Sequence, residues 1–111
     1  MPDFALCLDL KDEAEAIERY DYYHAHPFTE VVEGLKLVGI LQLRIWRWNT
    51  RLFMVYSAVD GFDPATDFAP YLRYHPRCQE WENMMTQWQA PLPGAPEGEK
   101  WQVMTQVFEL S

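Results

Sequence analysis

The chain has 111 residues, of which 49% are apolar and 15% aromatic, and it carries a formal net charge of −8. That suffices for one packed domain over residues 1–111 and is too little for two. The acidic balance argues against nucleic acid and against anionic membrane surfaces, because both are held by clustered Lys and Arg. A neutral small molecule or a partner protein is compatible with that charge.

No apolar run approaches the roughly 18 residues that a membrane span needs. The N-terminus has no basic stretch leading into an apolar one, so a secretion signal is not expected. Cys7 and Cys78 are the two cysteines. Two distant cysteines make no disulfide framework, so both are expected reduced in a cytoplasmic protein.

Phe4, Leu6, Leu8 and Leu10 alternate with Ala5, Cys7 and Asp9, a period of two that predicts a strand. Asp12 followed by Glu15 resembles a capping box, which opens a helix running to His24 with Ile17 and Tyr20 on its apolar stripe. His26-Pro27 breaks that helix, and Pro27 is placed to open a second one. Phe28, Val31, Val32, Leu35 and Val38 recur at helical spacing, and Gly39 is the expected stop.

Residues 40–48 and 52–59 alternate again. Asn49-Thr50 between them predicts a hairpin turn, since Asn tolerates positive φ. Asp63-Pro64 reads as an N-cap with proline at the first helical position, and Pro70 ends or kinks that short helix. His75-Pro76 opens a further helix with Cys78, Trp81, Met84, Met85 and Trp88 on one stripe. Residues 90–100 hold Pro91, Pro93, Pro96, Gly94 and Gly98 and predict a loop. Trp101 to Leu110 alternates as a final strand.

The order β-α-α-β-β-α-α-β predicts an α+β fold of the ferredoxin-like, split βαβ type: a four-stranded antiparallel sheet with helices on one face. Its second face would carry Gln42, Arg44, Trp46 and Trp48, or their alternates. An aromatic-rich open face is covered or used, as a ligand cleft or a dimer interface.

Tyr20 and His24 stand four apart, so a helix puts a phenol and an imidazole on one face. Histidine exchanges protons near neutral pH, and a phenol can orient a substrate oxygen. By spacing alone, two helix residues satisfied by their neighbours is the weightier reading. His24, His26 and His75 do not suggest a metal site, because no Cys or acidic residue stands at metal-like spacing to them. Trp81 opens an aromatic and methionine stripe beside Glu82. An indole can stack on a sugar's C–H face while a carboxylate takes its hydroxyls, although core packing is the plainer reading for Met84, Met85 and Trp88. No P-loop, dinucleotide fingerprint or nucleophile elbow is present.

Taken together, these residues resemble the L-rhamnose mutarotase family. Tyr20 through His24, Phe28-Thr29-Glu30, Leu35 and Gly39 are similar to its first signature, in which a tyrosine precedes the histidine by four. Cys78-Gln79-Glu80-Trp81-Glu82 with Met85 is similar to its second, and Val107-Phe108-Glu109-Leu110 to its close. The resemblance implies a dimeric α/β barrel in which two sheets pack face to face, hence a homodimer through the sheet face. It implies interconversion of the α and β anomers of a deoxyhexose, with no cofactor. Carried over by position, His24 is the acid/base, Tyr20 and Trp81 contact the sugar, and Glu82 sits beside them. Four positions depart from the family: Phe28-Thr29 replaces Trp-Pro, Glu82 replaces a second tryptophan, and Leu43 stands where a substrate-contacting tyrosine is usual. These departures alter the binding shell and bring L-fucose or another hexose into consideration beside L-rhamnose. A small dimeric α/β barrel monooxygenase and a non-catalytic ligand-binding or dimerisation module are the alternatives.

Overall fold

A computed structural model describes residues 1–111. The elements follow as β1 (Asp3–Leu10), α1 (Ala14–Ala25), α2 (Thr29–Leu37), β2 (Ile40–Trp48), β3 (Arg51–Ala58), α3 (Pro64–Asp67), α4 (Ala69–Tyr74), α5 (Pro76–Trp88), β4 (Gln89–Ala90) and β5 (Gln102–Val103). The sheet is antiparallel in the order β2-β3-β1-β4, and β5 also pairs with β1. This is the expected α+β, ferredoxin-like arrangement.

The fourth strand position departs from expectation. β4 lies opposite Asp9 and Leu10, and β5 lies opposite Leu6 and Cys7. Both run antiparallel to β1, so they stand in line along one edge, and residues 91–101 leave the edge between them. The expected strand over 101–110 is therefore only Gln102–Val103. Met104 N–H still donates to the Ala5 carbonyl at 2.7 Å. In that register Gln106 reaches Asp3, where β1 begins, and past it the alternating residues have no ladder to join.

Two helix starts are also corrected. The cap of α1 is Glu13, extended and without a side-chain cap bond, and not Asp12 with Glu15. The Glu13 N–H is taken by the Lys11 carbonyl, and the Glu15 carboxylate turns to Arg19 at 3.1 Å. α2 begins at Thr29, and Phe28 is its cap. The Phe28 carbonyl accepts from the N–H groups of Val31 and Val32, so Pro27 stays outside the helix.

Elsewhere the local chemistry acts as expected. Gly39 ends α2 at φ +113°, in the left-handed region that favours glycine. Asn49 turns the hairpin at φ 54°. Asp63 Oδ1 accepts from Ala65 N–H at 3.0 Å, and His75 Nδ1 accepts from Arg77 N–H at 3.0 Å to cap α5.

A β-bulge at Leu41 changes the parity of β2. Ile40 pairs with Ala58 and Gln42 with Ser57, which leaves Leu41 as the extra residue and exposed. Leu43 and Ile45 then share the helix side with Ile40, while Gln42, Arg44, Trp46 and Trp48 stand on the open face. There Trp46 meets Phe53 across the strands, ring centroids 5.7 Å apart, and the Arg44 guanidinium lies 5.1 Å from the Trp46 ring.

The helices cover the other face in two apolar clusters. One gathers Leu10, Ala16, Tyr20, Val31, Leu52, Tyr71, Cys78, Trp81, Met85 and Trp88. The second holds Leu6, Ile40, Tyr56, Ala58 and Phe62, with Leu43 packed against it. Burying a large apolar side chain contributes about 1.5–3 kcal/mol each, so these clusters are what holds α1 and α5 at a fixed angle over β1.

Candidate active site

The sequence places Tyr20 and His24 one turn apart on α1 and Trp81 and Glu82 on α5. Packing of α1 against α5 brings these two helices together. The His24 and Tyr20 rings stack with centroids 4.1 Å apart at 28°, and the His24 ring meets Trp81 edge-on at 5.2 Å. Tyr23, one residue before His24, stacks on Trp88 at 5.6 Å and meets Trp81 and Phe28 edge-on. Phe28 in turn lies 5.2 Å from Trp81 and carries the Arg77 guanidinium 3.6 Å above its ring. An aromatic floor therefore backs the imidazole.

His24 Nδ1 lies 2.8 Å from the Tyr20 carbonyl oxygen. A carbonyl only accepts, so Nδ1 carries a proton, and in the neutral ring Nε2 holds the free lone pair. Burial pushes the His24 pKa below 6.5, opposed by the bond to Tyr20 and by the charge of Asp21. The ring is thus neutral at pH 7, a half-buried base with one nitrogen locked and one available.

Tyr20 is 3% exposed and belongs to the core. Burial raises its phenol well above the ordinary value; a side-chain hydrogen bond from Gln89 opposes the rise, and the charges of Asp21 and Glu82 add to it. The phenol is therefore a neutral group at any working pH. Gln89 is the one buried polar side chain, and its amide comes near enough to the phenol to pull the phenol's pKa down.

Trp81 is 8% exposed, and Tyr23, Phe28 and His24 meet it with their rings steeply inclined to the indole. Glu82, the next residue, is partly exposed and pairs with Lys100 at 3.3 Å. Leu43 packs with the second cluster and not beside Tyr20. Asp21, one residue after Tyr20, is held by Arg47 of β2 through two bonds of 2.9 and 2.6 Å, which ties α1 to the hairpin.

Two surface hollows lie elsewhere. One of about 590 Å³ runs along α5 between Pro76 and Gln87, and one of about 490 Å³ lies between the end of α2 and α4. No three His, Cys, Asp or Glu side chains converge where they could hold a metal ion. No helix is long and apolar enough to cross a membrane.

Gln89, Lys100 and the Asp21–Arg47 pair are the neighbours that the sequence left unmarked. Gln89 ends an aromatic stripe, where a lone amide carries no spacing signal. Lys100 sits in a proline-rich loop, and Arg47 reads as a solvated strand residue.

An α+β sheet of this order, with a half-buried imidazole in an aromatic setting, defines a small ferredoxin-like protein with a candidate proton-transfer residue. Two solved structures share the fold: an L-rhamnose mutarotase from Formosa agariphila (TM-score 0.70, 15% identity, all of both chains covered) and the tetracenomycin F2 cyclase of Streptomyces glaucescens, a type-II polyketide cyclase (TM-score 0.62, 17% identity, all of both chains covered). The L-rhamnose mutarotase family model matches residues 3–110. The chain is 39% identical over 106 residues to an L-fucose mutarotase of Xanthomonas campestris pv. campestris, covering 94% of this chain and 84% of that one. It is 39% identical over 110 residues to a UPF0734 protein of Dictyostelium discoideum, covering 96% and 88%. The chain belongs to the L-rhamnose mutarotase family.

Proposed function

We propose that this chain is a sugar mutarotase of one domain that interconverts the α and β anomers of a deoxyhexose of the L-fucose or L-rhamnose class. The observation that carries the reading is the His24 imidazole, neutral, fixed at Nδ1 and free at Nε2. Nε2 takes the proton of the anomeric hydroxyl as the bond from C1 to the ring oxygen breaks. The ring oxygen keeps that electron pair and receives the proton back from the imidazolium Nε2, which returns His24 to its neutral form. Rotation about C1–C2 and the reverse steps give the other anomer, with no net change in protons and no cofactor. A general acid/base of this kind contributes on the order of 10²–10⁴ in rate, about 3–5 kcal/mol.

In this reading His24 is the catalytic residue, and Tyr20, Trp81 and Glu82 form the shell around the sugar. L-fucose is the substrate favoured by the 39% identity to an L-fucose mutarotase, together with the altered positions Phe28, Leu43 and Glu82. The test is anomer exchange followed by saturation-transfer NMR on both sugars. The wild type speeds exchange and His24→Ala loses it while keeping its circular dichroism; equal exchange in the two sinks the assignment.

We further propose a cytoplasmic homodimer formed through the open sheet face. Trp48 is 84% exposed there beside Trp46 and Phe53, and the C-terminal arm leaves Val107 91% exposed next to Phe108 and Leu110. An apolar surface of this kind marks an interface, and a second copy presents the same face to it.

One observation favours a non-catalytic ligand-binding or dimerisation module. Tyr20 and Trp81 are both buried, at 3% and 8% exposure, which leaves little of either for a sugar to touch. The same NMR experiment separates the two, since a module leaves exchange at its uncatalysed rate.

A further inference from the structure

We propose that Lys100 is a positioning residue for Glu82, and that the Glu82 carboxylate so held forms the end of the site that recognises a sugar hydroxyl. This rests on the reading of the chain as a mutarotase.

Residues 91–101 leave the sheet edge between β4 and β5 and return at a fixed point. That point is Trp101, which is partly buried and packs against both apolar clusters. Lys100 precedes it and reaches across to α5. Its Nζ lies 3.3 Å from Glu82 Oε1 and donates to Thr86 Oγ1 at 2.5 Å. Thr86 Oγ1 donates its own proton to the Glu82 carbonyl at 2.9 Å, so its oxygen is left to accept from the ammonium. Lys100 thus holds the carboxylate, and Thr86 holds the ammonium that does so.

The ammonium has three N–H donors and uses two of them. Glu82 is engaged through Oε1, which leaves Oε2 as an acceptor. A carboxylate oxygen held in this way accepts from a sugar hydroxyl that the ammonium itself does not touch. The position suits such a role. Glu82 follows Trp81, whose indole meets the ring edge of His24 at 5.2 Å, and its charge is felt at Tyr20. Both partners are partly exposed, so the pair contributes little to stability, and its effect lies in the direction it gives the carboxylate.

The test measures exchange rate against sugar concentration for the wild type, Lys100→Met, Lys100→Arg, Glu82→Gln and the Lys100→Met/Glu82→Gln double variant. Lys100→Met raises KM roughly tenfold, the scale of one charge-assisted hydrogen bond, and the effect falls on KM and not on kcat. Lys100→Arg recovers most of the loss. The double variant is no worse than Glu82→Gln alone, because Lys100 acts through that carboxylate. An unchanged KM in Lys100→Met, or penalties that multiply in the double variant, overturns the proposal. Should Lys100→Met unfold, Lys100→Arg against Glu82→Gln carries the same comparison. If the wild type exchanges neither sugar, the mutarotase reading itself fails and this falls with it. Exchange that His24→Ala abolishes but Lys100→Met leaves at the same KM overturns this inference alone.

Discussion

Tyr20 holds His24 twice: its ring stacks under the imidazole at 4.1 Å, and its backbone carbonyl accepts the Nδ1 proton at 2.8 Å. One residue, one helical turn before the histidine, sets both the plane of the ring and its tautomer. Tyr20 itself is fixed by burial in the larger apolar cluster, 3% exposed. The imidazole is thereby tied to the packed core between α1 and α5.

The pH dependence follows from the lowered His24 pKa. Catalysed exchange should rise with pH along an acid limb whose midpoint lies below 6.5, because Nε2 must be free to act as a base. Stability carries the same sign. In the window between the folded value and 6.5 the unfolded chain binds a proton that the folded one does not, so stability from this group rises with pH and levels off above 6.5. NMR titration of the His24 ring measures the midpoint directly; a value above 6.5 contradicts the burial argument.

Asp21→Asn should lower that midpoint further. The Asp21 charge raises the His24 pKa, so removing it leaves burial less opposed. The substitution also weakens the two-bond contact with Arg47, a partly exposed pair that contributes about 1 kcal/mol or less. The same NMR titration and a urea melt read the two effects separately.

Tyr20→Phe should keep the stack and the carbonyl bond, because neither uses the phenol oxygen, and so leave the midpoint of the His24 titration in place. NMR titration of the variant checks this. A clear shift of the midpoint would mean that the phenol itself tunes the imidazole.

Gly34→Ala tests how closely α2 meets α4 and α5. A Cβ at Gly34 would stand 3.1 Å from Tyr71 and Tyr74 ring carbons and 3.3 Å from Cys78 Sγ. Overpacking of this size typically costs about 1–3 kcal/mol, offset by about 1 kcal/mol of helix preference, for a net loss of about 1–2 kcal/mol. A thermal melt showing a gain in stability would mean that the helices part easily.

Deleting residues 105–111 should leave the sheet and helices unchanged by circular dichroism, because nothing past Met104 pairs with the sheet. It should weaken the proposed dimer by removing Val107, Phe108 and Leu110. Sedimentation equilibrium of the full and shortened chains reads the difference; identical association for both removes the arm from the interface.

The architecture was legible because its signals are local. Alternation marked β1, β2 and β3, proline and aspartate marked the start of α3, His75-Pro76 the start of α5, and Gly39 and Asn49 the turns. The Asp12 and Glu15 capping box failed although its pattern was present. Nearby groups, the Lys11 carbonyl and Arg19, competed for the same atoms, and a spacing rule does not see competitors. The Leu41 bulge was invisible for a related reason: parity along one strand says nothing of a slip against its neighbour.

Of the candidate site, the chain by itself determined that Tyr20 and His24 share a helical face, that Trp81 and Glu82 are adjacent on another helix, and that the whole resembles one family. These follow from residue identity and from a period of 3.6. Tertiary structure alone decided that His24 meets Trp81, that Arg47 holds Asp21, that Lys100 reaches Glu82 across a loop, and that the last alternating segment runs out of strand to pair with. Each is a contact between segments far apart in sequence. Such contacts depend on where whole elements come to rest when their apolar faces are buried, and no pattern within a single segment encodes that.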